Sequence, residues 1–200
     1  MGSARSRVWS SLSGMSFTIS YLDEVAAIAK ALDADQIDAC ANLLARTKAA
    51  GGRVFVLGNG GSAANASHFV NDLRKIAGIE AYAPTDNVAE LTARANHDGF
   101  HLTFSGWLEV SGLRADDTVV VLSVGGGATK VSANLICALD GARCVKASVI
   151  GIVGRDKGYT QRVADVCVVV PTVNEEHVTP HAESFQSVLC HLLVWHTALQ

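Results

Sequence analysis

No run of apolar residues in this 200-residue chain reaches membrane-spanning length, so no transmembrane helix is expected. Charged residues are scarce, at 18% of the chain, and the formal charge is only −3. Such a balance gives no general attraction to nucleic acid or to an acidic membrane surface, so neither is an expected partner. The five cysteines, Cys40, Cys137, Cys144, Cys167 and Cys190, are odd in number, and no two have C-x-x-C spacing. They read as buried free thiols in a reducing cytoplasm. The segment Met1 to Gly14 carries Arg5 and Arg7 but lacks a long apolar stretch, which makes it a poor signal peptide. It is rich in Ser and is expected to be loose, with Met15 as an alternative start.

What is present is a chain with 49% apolar residues, long enough to bury a substantial core. The expected organisation is a loose lead-in over 1–16 and a single domain over 17–200. Tyr21 to Leu32 has helical spacing of apolar residues. Asp33 or Asp35 caps a second helix, in which Ile37, Cys40, Ala41 and Leu44 share one face, and Gly51-Gly52 stops it. Strands are expected at Arg53 to Leu57, weakly at Ile79 to Ala83, at Thr118 to Val124, at Ala147 to Val153, and at Val166 to Val170 before Pro171. Helices are expected at Ser62 to Ile76, Val88 to Ala95, Leu102 to Val110, from the Gly125-Gly126-Gly127 turn to about Leu139, at Tyr159 to Val163, and from about Pro180 to the C-terminus. Alternating strands and helices imply right-handed βαβ units, and continuous apolar strands imply burial on both faces. The fold expected is therefore α/β: a three-layer, doubly wound, five-stranded parallel sheet of flavodoxin-like type, with an N-terminal helical pair in front.

Two strands run into glycine-rich, hydroxyl-bearing turns. The first turn is Gly58-Asn59-Gly60-Gly61-Ser62. Glycines let the backbone approach an anion, and the N–H groups and positive dipole end of the next helix favour phosphate. Ser62 adds a hydroxyl donor, and Asn59 fixes the loop or contacts the ligand. A tight structural turn is the plain alternative. Gly58, Gly60 and Ala63 also satisfy the dinucleotide pattern, with Glu80 near the distance of a ribose-binding acid. Glu80, however, begins the second strand instead of ending it. No G-K-[ST] follows the turn, which excludes a P-loop.

The second turn runs from Ser123 through Gly125-Gly126-Gly127 to Ser132 at a helix start, with Lys130 adding charge. Its plain alternative is a hinge with solvated hydroxyls. His68 and Asp72 lie at i, i+4, off the apolar stripe of Ala66, Phe69, Val70 and Leu73. They form either half of a metal site or an exposed pair. In the last helix Phe185, Val188, Leu189 and Leu192 form the expected core stripe. Glu183 and His191 lie opposite, about 80° apart and about 12 Å along the axis. One ion held by both requires a deformed helix start or ligands from two subunits; a solvated face is the alternative. His196 lies on the apolar stripe and reads as a structural histidine.

These segments resemble the sugar isomerase (SIS) domain and, within it, the phosphoheptose isomerases. The resemblance is carried by Gly58 to Phe69, Pro84-Thr-Asp86-Asn87, Leu91 to Ala93, Asn96, Ser123 to Gly127, Ile150 to Asp156, Val168 to Pro171, and His181-Ala-Glu183 through His191. It implies homotetramers with sites shared between subunits, a cytoplasmic enzyme of bacterial heptose biosynthesis, and interconversion of sedoheptulose 7-phosphate with D-glycero-D-manno-heptose 7-phosphate. It implies one Zn2+ per subunit, on His68, Asp72, Glu183 and His191. Substrate contacts fall on Asn59, Gly60, Gly61, Ser62, Asp72, Asn96, His97, Ser123, Gly125, Ser132 and Glu183. Three departures bear on substrate and base more than on fold. Asp72 stands where the family usually has Glu, and Glu183 where it often has Gln. Glycines replace hydroxyls in the second loop, with a few residues inserted before Ser132. His97 replaces an Asp after Asn96, with Asp98 one position later. An enediol route needs a base, an acid on the oxygens and an oxyanion stabiliser. Asp72 or Glu183 is the expected base, and His191 the acid/base partner. Rival readings are a non-catalytic SIS regulator that binds phosphosugars, a replication-initiation adaptor, and an isomerase of a shorter sugar such as arabinose 5-phosphate.

Overall fold

A computed structural model describes residues 16–200; residues 1–15, with most of the expected loose lead-in, lie outside the described residues. Ser16 starts helix α1 (Phe17–Ala31) by accepting from the Ile19 N–H, and Asp33 starts α2 (Ala34–Ala49) by accepting from the Gln36 N–H. The left-handed Gly51 then ends α2 and turns the chain into β1 (Val54–Gly58). The order continues α3 (Gly61–Lys75), β2 (Ala81–Tyr82), α4 (Val88–His97), α5 (Thr103–Val110), β3 (Thr118–Ser123), α6 (Ala133–Cys144), β4 (Ser148–Val153), α7 (Tyr159–Val163), β5 (Val166–Val169) and α8 (Val178–Trp195). Short 3-10 turns at Phe100–Leu102, Glu175–His177 and Thr197–Leu199 complete it.

The five strands are all parallel, in the order β2-β1-β3-β4-β5. Alternate residues of each strand point to opposite faces. Val54, Val56, Val120, Leu122, Ile150 and Ile152 therefore pack with α1, α2, α3 and α8. Phe55, Leu57, Val119, Val121 and Val149 pack with α5 and α6, with Tyr159 and Val163 of α7 at the margin. These two cores make the three layers that the apolar strands predicted. Each fully buried Leu or Ile among them stabilises the fold by about 1.5–3 kcal/mol.

At the N-terminal edge of the sheet, the buried Asp117 accepts from Arg53 N (2.8 Å), Arg53 Nη2 (2.7 Å) and Arg114 N (3.1 Å). This clamp fixes β1 beside β3, with Val54 opposite Thr118. Both glycine turns then emerge together at the opposite edge.

Several expected details differ. The helix after the second turn does not stop near Leu139 but runs to Cys144, because Ala142 remains on its buried face. α8 begins at Val178 and ends at Trp195 instead of reaching the C-terminus; His196 turns extended there, its ring accepting from Ala198 N and lying 3.2 Å from Asp38. His196 is thus a structural histidine, but as a helix terminator, not on a core stripe. Val188 and Leu192 are 50% and 40% exposed. The buried face of α8 is instead His181, Ala182, Phe185, Gln186, Leu189, Cys190 and Leu193, so a polar Gln occupies a core position and two apolar residues face out. Among the described residues no helix is long and apolar enough to cross a membrane. All five cysteines are free, but only Cys40 and Cys190 are buried as expected; Cys137 and Cys167 are half-buried and Cys144, at the end of α6, is exposed.

Candidate functional site

The chain leaves β1 for β2 on one side and returns to β3 on the other. The β1/β3 crevice is therefore the switch point where parallel sheets of this kind bind ligands. Gly58 sits level with Leu122, which brings the two turns side by side. A Cβ on Gly58 would strike the Ser62 carbonyl, so glycine is required for the chain to fold back so tightly. Gly60 is left-handed (φ 61°) and starts α3 without any side-chain cap. Ser132, also left-handed (φ 61°), starts α6 without one. α1, α2 and α4 are capped by Ser16, Asp33 and Asn87, while α5, α7 and α8 are, like α3 and α6, uncapped. Ala63 N and Leu135 N bond back to Gly60 O and Ser132 O, which leaves the N–H groups of Gly61 and Ser62, and of Ala133 and Asn134, for another acceptor.

The loops are braced from within. Ser123 Oγ accepts from Gly126 N at 3.0 Å, and Thr160 donates to Gly126 O through both N and Oγ1, each at 2.8 Å. Ala128 and Val131 pair across the excursion to Ser132. Asn59 and the buried Asn134 exchange amide hydrogen bonds of 3.1 and 2.9 Å, linking the first turn to the start of α6. Sequence reasoning missed Asn134. Its signal was a polar residue two positions after Ser132, inside an otherwise apolar helix start.

On the helix that the first turn launches, Asp72 is buried and His68 exposed. Asp72 is not half of a merely exposed pair, because α8 covers that face of α3. His68 Nε2 lies 3.6 Å and His191 Nε2 3.5 Å from Asp72 Oδ2, and the two rings meet edge to face with centroids 4.9 Å apart. The three donor atoms lie within 4.8 Å of one another, in one subunit. A tetrahedral ion with bonds of about 2.0–2.1 Å sets donor separations near 3.3 Å, so these residues fit a divalent metal with little movement. Asn71 Nδ2 donates to the other Asp72 oxygen at 2.9 Å, the outer contact that orients a ligating carboxylate. Cys190, fully enclosed beside Asp72, has its thiol pushed up by burial and then by the Asp72 charge, and so stays protonated.

Glu183 is not among the converging donors. α8 is a regular helix, so its eight residues from His191 span about 12 Å. The Glu183 carboxylate lies instead over Gly61, where a Cβ would collide with it. Asn65, missed from sequence, ties this turn of α8 to α3 by donating to the Glu183 backbone O (2.7 Å) and to Gln186 Oε1 (3.2 Å). Asn96 and His97 are exposed on the last turn of α4, and Gly125 is exposed in the second loop. Glu80 sits at the N-terminal edge beside β2, accepting from Tyr82 Oη. It is at the far end of the sheet from the glycine turns, which removes the dinucleotide reading.

The model of the SIS domain matches residues 20–154. Phosphoheptose isomerase of Rhodospirillum rubrum is 35% identical over 165 residues, 80% of this chain and 83% of its own. The lincomycin biosynthesis protein of Streptomyces lincolnensis is 34% identical over 80% of this chain and 60% of its own. The structure of phosphoheptose isomerase from Neisseria gonorrhoeae superposes with a TM-score of 0.77 at 29% identity, covering 88% of this chain and 94% of that one. That of Francisella tularensis gives 0.74 at 26%, covering 90% and 98%. Two uncapped helix starts at the switch point, a His-Asp-His donor set and this similarity agree: the chain belongs to the SIS domain family, among the phosphoheptose isomerases.

Proposed function

We propose that this chain interconverts sedoheptulose 7-phosphate and D-glycero-D-manno-heptose 7-phosphate through an enediol, as a cytoplasmic enzyme of heptose biosynthesis. The observation that carries this reading is a free carboxylate, Glu183, set against the glycine turn, on the same helix whose His191 completes the His68-Asp72-His191 donor set. The phosphate is received by the N–H groups of Gly61 and Ser62, with Gly60 in the turn, and by the second loop through Gly125, Ser132 and Ser123. Asn59, braced by Asn134, contacts the sugar, and Asn96 and His97 serve substrate at the rim.

Glu183 is the better base of the two carboxylates. Among the described residues its oxygens accept no hydrogen bond, whereas Asp72 is bracketed by His68, His191 and Asn71. Glu183 takes the proton from the carbon beside the carbonyl and returns it to the neighbouring carbon. His68, Asp72 and His191 are the residues that would hold zinc, and the ion when bound would supply Lewis acidity to the carbonyl and hydroxyl oxygens. The role of His191 as acid/base partner then yields to a ligand role, since its Nε2 faces Asp72. Glu183 keeps its contact with substrate and leaves the ligand set.

Phe17, Ile19 and Leu22 on α1 and Val188, Leu192 and Trp195 on α8 are exposed, which supports burial between subunits and a homotetramer. The free cysteines suit a reducing compartment.

A panel of phosphosugars followed by NMR tests the reading. Turnover of sedoheptulose 7-phosphate is expected, with arabinose 5-phosphate inert. Glu183→Ala and His191→Asn are each expected to lower kcat by about 10²–10⁴. Binding without turnover of any sugar would favour a regulator or adaptor, and full activity in both variants would overturn the assignment.

A further inference from the structure

A second donor cluster is built where α1 meets the start of α8. Glu24 Oε2 lies 2.7 Å from His177 Nδ1 and 2.7 Å from His181 Nε2. The three donor atoms fall within 4.8 Å of one another. Asn174 Nδ2 donates to the other Glu24 oxygen at 2.8 Å, the same kind of outer contact that Asn71 makes to Asp72. Tyr21 packs on both rings, with centroids 4.6 Å from His181 and 5.3 Å from His177, which fixes their planes. His181 is 3% exposed and its Nδ1 has no partner, so the ring's polar contact is committed to the Glu24 side. Burial pushes the Glu24 carboxyl up, but hydrogen bonds from Asn174, His181 and His177 outweigh it and hold the group at about 2. Glu24 is therefore an anion throughout the working range of pH. His181 and His191 are ten residues apart on α8, about 15 Å along the axis, so this cluster is separate from the His68-Asp72-His191 set.

We propose that Glu24, His177 and His181 form a second divalent-metal site, suited to Zn2+, that clamps α1 to the start of α8. Two imidazoles and one carboxylate are a zinc donor set, and three protein ligands leave a fourth position for water. The side chains of His177 and Glu24 are 22% and 16% exposed, which leaves that position open to solvent. The present 2.7 Å spacings are hydrogen-bond lengths. Ligation places each ring's proton on its other nitrogen and opens the donor spacings toward about 3.3 Å, the edge of a tetrahedron with bonds of about 2.0–2.1 Å. Glu24 and His177 are at the margin of the fold and have room for that movement.

The clamp has a structural reason to exist. Ile28 is the one residue of α1 that is fully buried, so apolar packing within the subunit holds this helix weakly. An ion joining residue 24 to residues 177 and 181 would tie it across most of the chain. His181 precedes Glu183 by two residues, so occupancy would also steady the helix start that carries Glu183.

The test uses the full chain, stripped with a chelator and titrated with Co2+ by visible absorption, then with Zn2+ by metal analysis after dialysis. Wild type is expected to hold two ions per chain, His191→Asn one, Glu24→Gln one, and His191→Asn/Glu24→Gln none. Zn2+ is expected to raise the Tm of His191→Asn by several degrees and to leave the double variant unmoved. Wild type holding fewer than two ions, or Glu24→Gln holding as many as wild type, would overturn the proposal. His177→Asn, at a partly exposed position, repeats the test should Glu24→Gln fail to fold.

Discussion

Gly61 is a residue whose missing side chain has a use. The Glu183 carboxylate occupies the space that a Cβ at position 61 would take. Gly61→Ala adds a good helix former at the start of α3, where Gly costs up to about 1 kcal/mol relative to Ala. It also displaces the carboxylate. Misplacing a reacting group by about 1 Å costs on the order of 10² in rate. Gly61→Ala is therefore expected to keep or raise Tm while kcat falls about 100-fold, measured by thermal unfolding and steady-state kinetics on the same preparation. An unchanged kcat would show that Glu183 is not the group that moves the proton. No sequence pattern reveals this contact, because positions 61 and 183 lie on different helices and meet only in the fold.

At the scale of elements, the bond between the two loops is the Asn59-Asn134 amide pair. Removing one partner leaves the other amide short of a hydrogen bond, at about 1–3 kcal/mol. Asn134→Ala is expected to lower unfolding free energy by that amount in urea and to raise KM several-fold, with a smaller effect on kcat. An unaltered KM would mean that the first turn holds its shape unaided. β1, β3, β4 and β5 and the helices α2 and α3 were legible from the sequence because their apolar runs and periodicities are strong and Asp33, Gly51 and Gly58 mark their ends, whereas the weak strand expected at Ile79 to Ala83 forms only over Ala81–Tyr82. α8 was misread at Val188 and Leu192 because its amphipathicity is blurred. His181 and Gln186 are buried, while Val188, Leu192 and Trp195 face outward. The 128–131 excursion was also hidden, since its Ala128–Val131 pairing and the left-handed Ser132 carry no glycine or proline signal.

At the scale of the whole molecule, the Arg53-Asp117 clamp aligns the sheet at the edge opposite the loops. Burial pushes the Asp117 carboxyl up, but the Arg53 side-chain hydrogen bond, the Arg53 and Arg114 backbone donors and the Arg53 charge hold it below its ordinary value of 3.8. A folded pKa below the unfolded one contributes stability that is complete above pH 3.8 and is lost as pH falls through the lowered folded value. Asp117→Asn is expected to cost about 3–5 kcal/mol at neutral pH, because it breaks a buried pair, and to flatten the acid limb of the stability curve. Urea midpoints measured across the acid range check both. An acid limb as steep as that of wild type would assign it to other carboxylates. The sequence by itself determined the parallel α/β architecture, the two glycine turns and the residue types of the site, since these rest on local periodicity, turn chemistry and spacing along one helix. Only the tertiary structure decided that Asp72 is buried between His68 and His191, that Glu183 leaves them for Gly61, and that Glu24 gathers His177 and His181. Asp72 and His191, Gly61 and Glu183, and Glu24 and the His177-His181 pair are each 100 or more positions apart, and packing of α1, α3 and α8 against one another, not any local pattern, sets the distances between them.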